Sequence, residues 1–143
     1  MSVANILREK GRNVITIQGS SSLLDVARML SINKIGVIVV SDDGASVDGI
    51  VSERDIVKAI ANNGAEVLLR PVSKFMTQNV ITCQDSDTIE NLMEKMTKGR
   101  FRHLPVVNDG KLDGVISIGD VVKMRIAEAQ LVADAMRDYI ASG

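Results

Sequence analysis

Two short stretches pair a hydroxyl with a carboxylate at matched spacing: Ser52-Glu53-Arg54-Asp55 and Ser117-Ile118-Gly119-Asp120. In each, a Ser closes an apolar run and an Asp follows three residues later. A carboxylate with two acceptor oxygens suits a cis-diol such as a ribose, because each oxygen can take one hydroxyl proton. Free amide N–H groups at a helix start favour phosphate. Arg54 supplies a cation that offsets the repulsion between Asp55 and an anionic ligand. The competing reading of the same residues is an S-x-x-D capping box, in which Ser accepts an N–H and Asp reciprocates. One copy alone favours the cap, and a duplicated cap would look the same as a duplicated grip.

Little else in the chain offers reactive chemistry. His103 is the only histidine and Cys83 the only cysteine. An intrachain disulfide is therefore impossible, and the common zinc sites would need a partner chain. No Ser/His/Asp set, Walker A sequence or G-x-G-x-x-G is present. The expectation is no catalytic residue, no metal and no catalytic cofactor. Seventeen basic and 18 acidic residues leave a formal charge of −1, which gives no bulk attraction to nucleic acid or a membrane. Aromatics are 2% of the chain and Trp is absent, so stacking platforms for single strands are missing too. The N-terminal MSVANILREK lacks a long apolar core with a cleavage site, and a cytoplasmic location is expected.

The elements that must position these residues come from an internal repeat. Gly49–Lys58 matches Gly114–Lys123 at an offset of 65, and Val14–Thr16 matches Val80–Thr82 at 66. At that second offset Leu23, Val26, Ala27 and Leu30 match Ile89, Leu92, Met93 and Met96. Each copy reads as a short strand (Val14–Ile17, Val80–Thr82), a polar capping turn (Gly19–Ser22, Asp85–Thr88) and a helix with one apolar face. A buried strand follows (Gly36–Val40, Leu104–Val107), then a turn at Asp43-Gly44 or Asp109-Gly110. A third strand (Gly49–Ser52, Gly114–Ser117) leads to a second helix near Asp55 or Asp120. The fold class is α+β: two tandem β-α-β-β-α units, residues 1–70 with an N-terminal extension and 71–143 with an extended C-terminal helix. About sixty residues cannot cover both faces of a small sheet, so the copies are expected to pack sheet to sheet about a pseudo-twofold axis.

The last helix runs on past the repeat. Met124, Ala127, Leu131, Ala135 and Tyr139 form one stripe, widened by Val132, Met136 and Ile140. Packing on the chain's own core is one explanation; the length of the stripe favours pairing with another subunit as a homodimer.

The duplicated unit ending in GIVSERD and GVISIGD, with FRHLPVV before the second hairpin, resembles a cystathionine β-synthase (CBS) domain pair, or Bateman module, over about Asn13 to Ile126. The resemblance implies a regulatory sensor of adenine nucleotides (AMP, ADP, ATP, sometimes NAD(H) or S-adenosylmethionine) that acts on a separate, unidentified protein. It also implies two composite clefts. The first would combine Ser52, Arg54 and Asp55 with Thr82, Cys83, Arg102, His103 and Pro105. The second would combine Ser117 and Asp120 with Thr16, Lys34, Ile35, Gly36 and Val37. In such sites the Asp holds ribose hydroxyls, first-strand residues meet adenine and basic residues meet phosphate.

The clefts are unequal. Gly119 stands where Arg54 does, and Ile35-Gly36 is taken as the counterpart of Arg102-His103, with Lys34 as the compensating cation. The second cleft is left for a nucleoside, an AMP moiety or nothing. His103 beside Pro105 also suits a packed core imidazole, Cys83 a small buried residue rather than a redox centre, and Met93 and Met96 core packing. The alternative function is an interaction module with empty clefts that works through its C-terminal helix.

Overall fold

Ser22 and Thr88 begin the two equivalent helices by the same device: each side chain accepts the N–H three residues on, from Asp25 and from Asn91. The computed structural model, which describes residues 1–142, runs from helix α1 (Val3–Lys10) into strand β1 (Thr16–Ile17) and helix α2 (Leu23–Asn33). Strands β2 (Val37–Val40) and β3 (Gly49–Ser52) and helix α3 (Glu53–Asn63) complete the first unit. Two short 3-10 turns, Ala65–Leu69 and Val72–Lys74, lead to α4 (Ile89–Gly99), β4 (His103–Asn108), β5 (Lys111–Ser117) and α5 (Ile118–Ser142).

The first unit is the expected β-α-β-β-α, with β1 parallel and β3 antiparallel to β2. The second departs from it at one place. Val80–Thr82 do not form a strand; the pairing shrinks to a single parallel bridge between Cys83 and Val106. That bridge is the repeat counterpart of Ile17 opposite Val40. Two bonds make it, Cys83 N–H to Pro105 O at 3.0 Å and Val107 N–H to Cys83 O at 2.8 Å. The β4–β5 hairpin turns on Asp109 and Gly110, both at positive φ (52° and 76°), the pairing of conformations a tight two-residue hairpin needs. The β2–β3 connection is longer, and Asp43 organises it by accepting N–H groups from Ala45 and Ser46.

Helical periodicity reads out as burial. Leu23, Val26 and Leu30 are buried in one apolar cluster with Ile38, Val40, Val51, Ile56, Val67 and Val72. Ile89, Leu92 and Met96 are buried in a second with Leu104, Val106, Ile116 and Val121. Met93, expected in the core, is exposed at the edge of that face, where it lines a recess with Val122 and Ile126 near the start of the last helix.

Tertiary packing does not follow the chain order. Val3, Ile6 and Leu7 of α1, written in sequence as an extension of the first unit, are buried in the second unit's cluster. Leu7 lies against Gly114, where a Cβ would stand 2.9 Å from Leu7 Cδ2. Val3 N–H bonds to Asp87 O at 3.0 Å, and the Arg12 guanidinium bridges Asp85 and Asp113, each at 2.8 Å. In the other direction Val72, Phe75 and Met76 pack with the first unit's cluster. The two units also meet where Leu112 N–H bonds to Ala45 O at 2.7 Å.

The buried side chains of α5, Val121 and Met124, lie in its first two turns, and Arg125 and Glu128 tie the next turn to Glu90 and the N-terminal amine. Beyond Met124 its apolar stripe is open: Leu131, Val132, Met136, Tyr139 and Ile140 are 60–80% exposed. No described helix is long and apolar enough to cross a membrane.

Candidate nucleotide cleft

Ser52 ends β3 and caps α3, and both sides of the expected capping box are present. Ser52 Oγ accepts Asp55 N–H at 3.2 Å, and Asp55 Oδ2 accepts Ser52 N–H at 2.8 Å and its hydroxyl at 3.0 Å. The cap does not consume the carboxylate. All of these bonds fall on Oδ2, which leaves Oδ1 without a partner among the described residues. Cap and diol grip are thus compatible in one side chain.

Asp55 faces a cleft of about 550 Å³ between the two units. Ser52, Glu53, Arg54 and Asp55 line it from the first unit, together with Gly36, Val37 and Ile50. Across from them stand Thr77, Asn79, Val80 and Ile81 from the connection, and Arg100, Phe101, Arg102 and His103 from the entrance to β4. Ser52, Arg54, Asp55, Arg102 and His103 are therefore brought together as expected.

Three of the expected residues are elsewhere. Cys83 and Pro105 are buried behind the wall, bonded to each other through the bridge described above. Burial, with the nearby Asp87 charge, pushes the Cys83 thiol up to about 12, so no thiolate is available near neutral pH. Thr82 does not line the cleft; its carbonyl accepts Lys95 Nζ at 3.0 Å. Thr77, held to Ile50 by an antiparallel bridge, and the irregular stretch Asn79–Ile81 take their place, because pairing with β4 is absent before Cys83.

Arg100 is a residue that the sequence reading missed. It is the αL cap of α4 at φ 56°, and Lys34 caps α2 in the same conformation at φ 53°. Each turns the chain straight from helix end to strand entrance. The signal was in the register: Val37 pairs with Ser52 as His103 pairs with Ser117. Gly36-Val37, and not Ile35-Gly36, is thus the counterpart of Arg102-His103, and Lys34 is the counterpart of Arg100.

Three guanidiniums, of Arg54, Arg100 and Arg102, line the cleft against the carboxylates of Glu53 and Asp55. None of the three arginines is ion-paired among the described residues. His103 is not a further cation at neutral pH. Burial, aided by the charges of Lys10 and Arg102 and opposed by Asp120, lowers its pKa below the usual 6.5.

The residues of the second expected set are spread over both units. Gly36 and Val37 line the first cleft. Thr16 pairs with Val39 in the first sheet, and Ile35 packs on the first cluster. Lys34 is exposed, and neither it nor Thr16 or Ile35 bonds to Ser117 or Asp120 among the described residues. Ser117 and Asp120 do repeat the cap, with Ser117 N–H to Asp120 Oδ2 at 2.9 Å and Asp120 N–H to Ser117 Oγ at 3.1 Å. The cation on Asp120 is Lys10 of α1, whose Nζ is 2.7 Å from Oδ2.

The duplicated unit, with a capped Asp closing each copy, is matched by the family model of the CBS domain over residues 3–62 and 72–126. The chain belongs to the CBS-domain family. Among solved structures it is similar to the CBS-domain protein ATU1752 from Agrobacterium tumefaciens, with 51% identity and a TM-score of 0.84 over 87% of this chain and 99% of that one. It is also similar to the CBS domain protein PAE2072 from Pyrobaculum aerophilum, solved with AMP: 31% identity, a TM-score of 0.74, and 84% and 89% of the two chains. The CBS domain pair of protein MJ0100, solved with 5-methylthioadenosine and S-adenosyl-L-methionine, is 26% identical with a TM-score of 0.79, over 90% and 98% of the chains. An uncharacterized 17.7 kDa protein of Acidianus ambivalens is 32% identical over 77% of this chain, which spans 66% of that relative's length. The fold is the tandem CBS repeat of these neighbours.

Proposed function

We propose that this CBS pair is a regulatory module, not an enzyme, that binds an adenine nucleotide in the cleft at Asp55 and transmits occupancy to a separate protein. The observation that carries this reading is that Asp55, with its partner-free Oδ1, shares one cleft with three unpaired arginines, Arg54 beside it and Arg100 and Arg102 on the opposite wall. Asp55 takes the ribose hydroxyls, the apolar wall at Val80 and Ile81 takes adenine, and Arg54, Arg100 and Arg102 meet phosphate. AMP in the Pyrobaculum structure and the two adenosine compounds in the MJ0100 structure support an adenosine ligand. Within that class the three arginines favour a phosphorylated member, AMP, ADP, ATP or NAD(H), over a neutral nucleoside.

Denaturing the purified protein and identifying released nucleotide by mass spectrometry tests the ligand directly. Titration calorimetry with AMP, ATP, NADH and adenosine tests the class. Heat from the phosphorylated members, lost in Asp55→Ala, is expected; no heat from any of them would sink the proposal. Chromatography after long incubation is expected to return the nucleotide unchanged.

A second reading rests on α5. Its open stripe suits a homodimer contact or a docking surface for the regulated protein. Truncation after Met124 separates the roles: loss of association with nucleotide affinity intact assigns association to the helix and binding to the cleft.

A further inference from the structure

Pro105 stands in the second unit where Val39 stands in the first. β2 is a central strand, with β1 on one side and β3 on the other. Thr16 pairs with Val39 there, and Ile17 with Val40. The matching pairs in the second unit would be Thr82 with Pro105 and Cys83 with Val106, and only the latter forms. A residue in a strand presents its N–H and its C=O to the same neighbour. Pro105 gives its carbonyl to Cys83 N–H at 3.0 Å, so its nitrogen lies on that edge too. Extending the parallel ladder to Thr82 needs a bond from the nitrogen of residue 105 to the carbonyl of Ile81. Proline has no N–H to give. The ladder stops at that bond, and β4 is left as an edge strand.

The groups released belong to the cleft wall. Val80 N–H bonds to Gln78 O at 3.0 Å, and Thr82 O accepts Lys95 Nζ at 3.0 Å. Neither the N–H nor the C=O of Ile81 has a partner among the described residues, and Ile81 is exposed at the cleft. One residue thus offers a backbone donor and a backbone acceptor to whatever enters. The exocyclic amine of adenine and its neighbouring ring nitrogen are the complementary donor and acceptor.

We propose that Pro105, buried behind the wall, is a positioning residue for base recognition: by withholding one N–H it keeps the Ile81 backbone free to hydrogen-bond the base of a nucleotide. This rests on the proposed reading of the Asp55 cleft as a nucleotide site. A residue with an N–H at this position extends the ladder by one pair and consumes the Ile81 carbonyl, as Val39 allows at Thr16 in the first unit.

Amide hydrogen exchange and titration calorimetry on Pro105→Ala and Pro105→Val test it. The new amide at position 105 should be protected from exchange. AMP should bind about three- to tenfold more weakly than to the wild type, the scale of one hydrogen bond. Purine riboside monophosphate, which is AMP without the exocyclic amine, separates this from a packing defect. The wild type should prefer AMP, and the variants should bind the two nucleotides alike. A freely exchanging amide at position 105, or a preference for AMP that survives in the variants at any absolute affinity, overturns the proposal. No AMP binding to the wild type sinks the nucleotide reading and the base contact with it; AMP binding without preference for the amine sinks the base contact alone. Should both variants unfold by circular dichroism, the wild type decides through the Ile81 amide: exchange slowed by AMP supports the contact, and unchanged exchange overturns it.

Discussion

Ser52 and Asp55 hold each other across the start of α3 through a single carboxylate oxygen, with Asp55 Oδ2 2.8 Å from Ser52 N, and Oδ1 is left over. The choice between a helix cap and a ligand grip is therefore not a choice. The cap fixes the Asp55 rotamer and so aims the free oxygen, much as a supporting hydrogen bond orients a group for binding.

That geometry separates two effects of mutating Asp55. Asp55→Ala should lower nucleotide affinity by about ten- to a hundredfold, the loss of one or two charge-assisted hydrogen bonds. It should also cost about 0.5–2 kcal/mol of stability through the lost cap. Asp55→Asn keeps an acceptor for Ser52 N–H, so calorimetry should show weakened binding while the urea midpoint stays near wild type. Equal affinity in all three proteins would remove Asp55 from the site.

The unpaired arginines predict a ligand-dependent pattern. Arg100→Gln and Arg54→Gln should each weaken AMP or ATP by about tenfold, the scale of one charge-assisted hydrogen bond, and leave adenosine little changed. Binding of ATP should fall as salt is raised, since the cleft is open to solvent. Uniform losses for adenosine and ATP would place the arginines in the scaffold instead.

Asp120 gives a pH dependence with a definite sign. Burial pushes its carboxyl up, but the Lys10 hydrogen bond, the Ser117 N–H and the Lys10 charge outweigh burial, and the net shift is below the ordinary 3.8. A carboxyl with a lowered folded pKa binds fewer protons folded than unfolded. Its stabilisation is thus complete above 3.8 and is lost as pH falls through the lowered folded value. Asp85, lowered chiefly by its Arg12 hydrogen bond, acts in the same direction. Urea midpoints should fall on acidification, and the fall should be shallower in Lys10→Met; parallel curves would show that the pair carries none of it.

Cys83 should be inert in the native protein. With its thiol pushed up to about 12 and its side chain buried, reaction with a disulfide reagent near neutral pH requires opening of the second unit. Labelling should be slow in buffer and immediate in denaturant. Fast native labelling would mean that the Cys83–Val106 bridge opens readily.

The repeat, the caps and the buried faces were legible because each is local. Ser22, Thr88, Ser52 and Ser117 each meet a partner three residues away, and the stripes at Leu23 and Ile89 follow from helical geometry. Half of the cleft was legible for the same reason, since Arg54 and Asp55 lie one turn from a strand end. The cleft's other wall was not. Val80–Thr82 carry the residues of a strand, yet pairing with β4 survives only at Cys83, and Thr77 and Asn79–Ile81 line the cleft instead.

By itself the sequence determined two capped Asp residues at the head of two homologous helices, because hydrogen bonds three residues apart need no knowledge of the rest of the chain. Only the tertiary structure decided that they differ. Val3, Ile6 and Leu7 have a pattern that either apolar cluster could accept, and their docking on the second brings Lys10 to Asp120, 110 residues away in sequence. An ion pair that distant depends on which core a helix enters, and burial selects that through shape, for which residue spacing carries no signal.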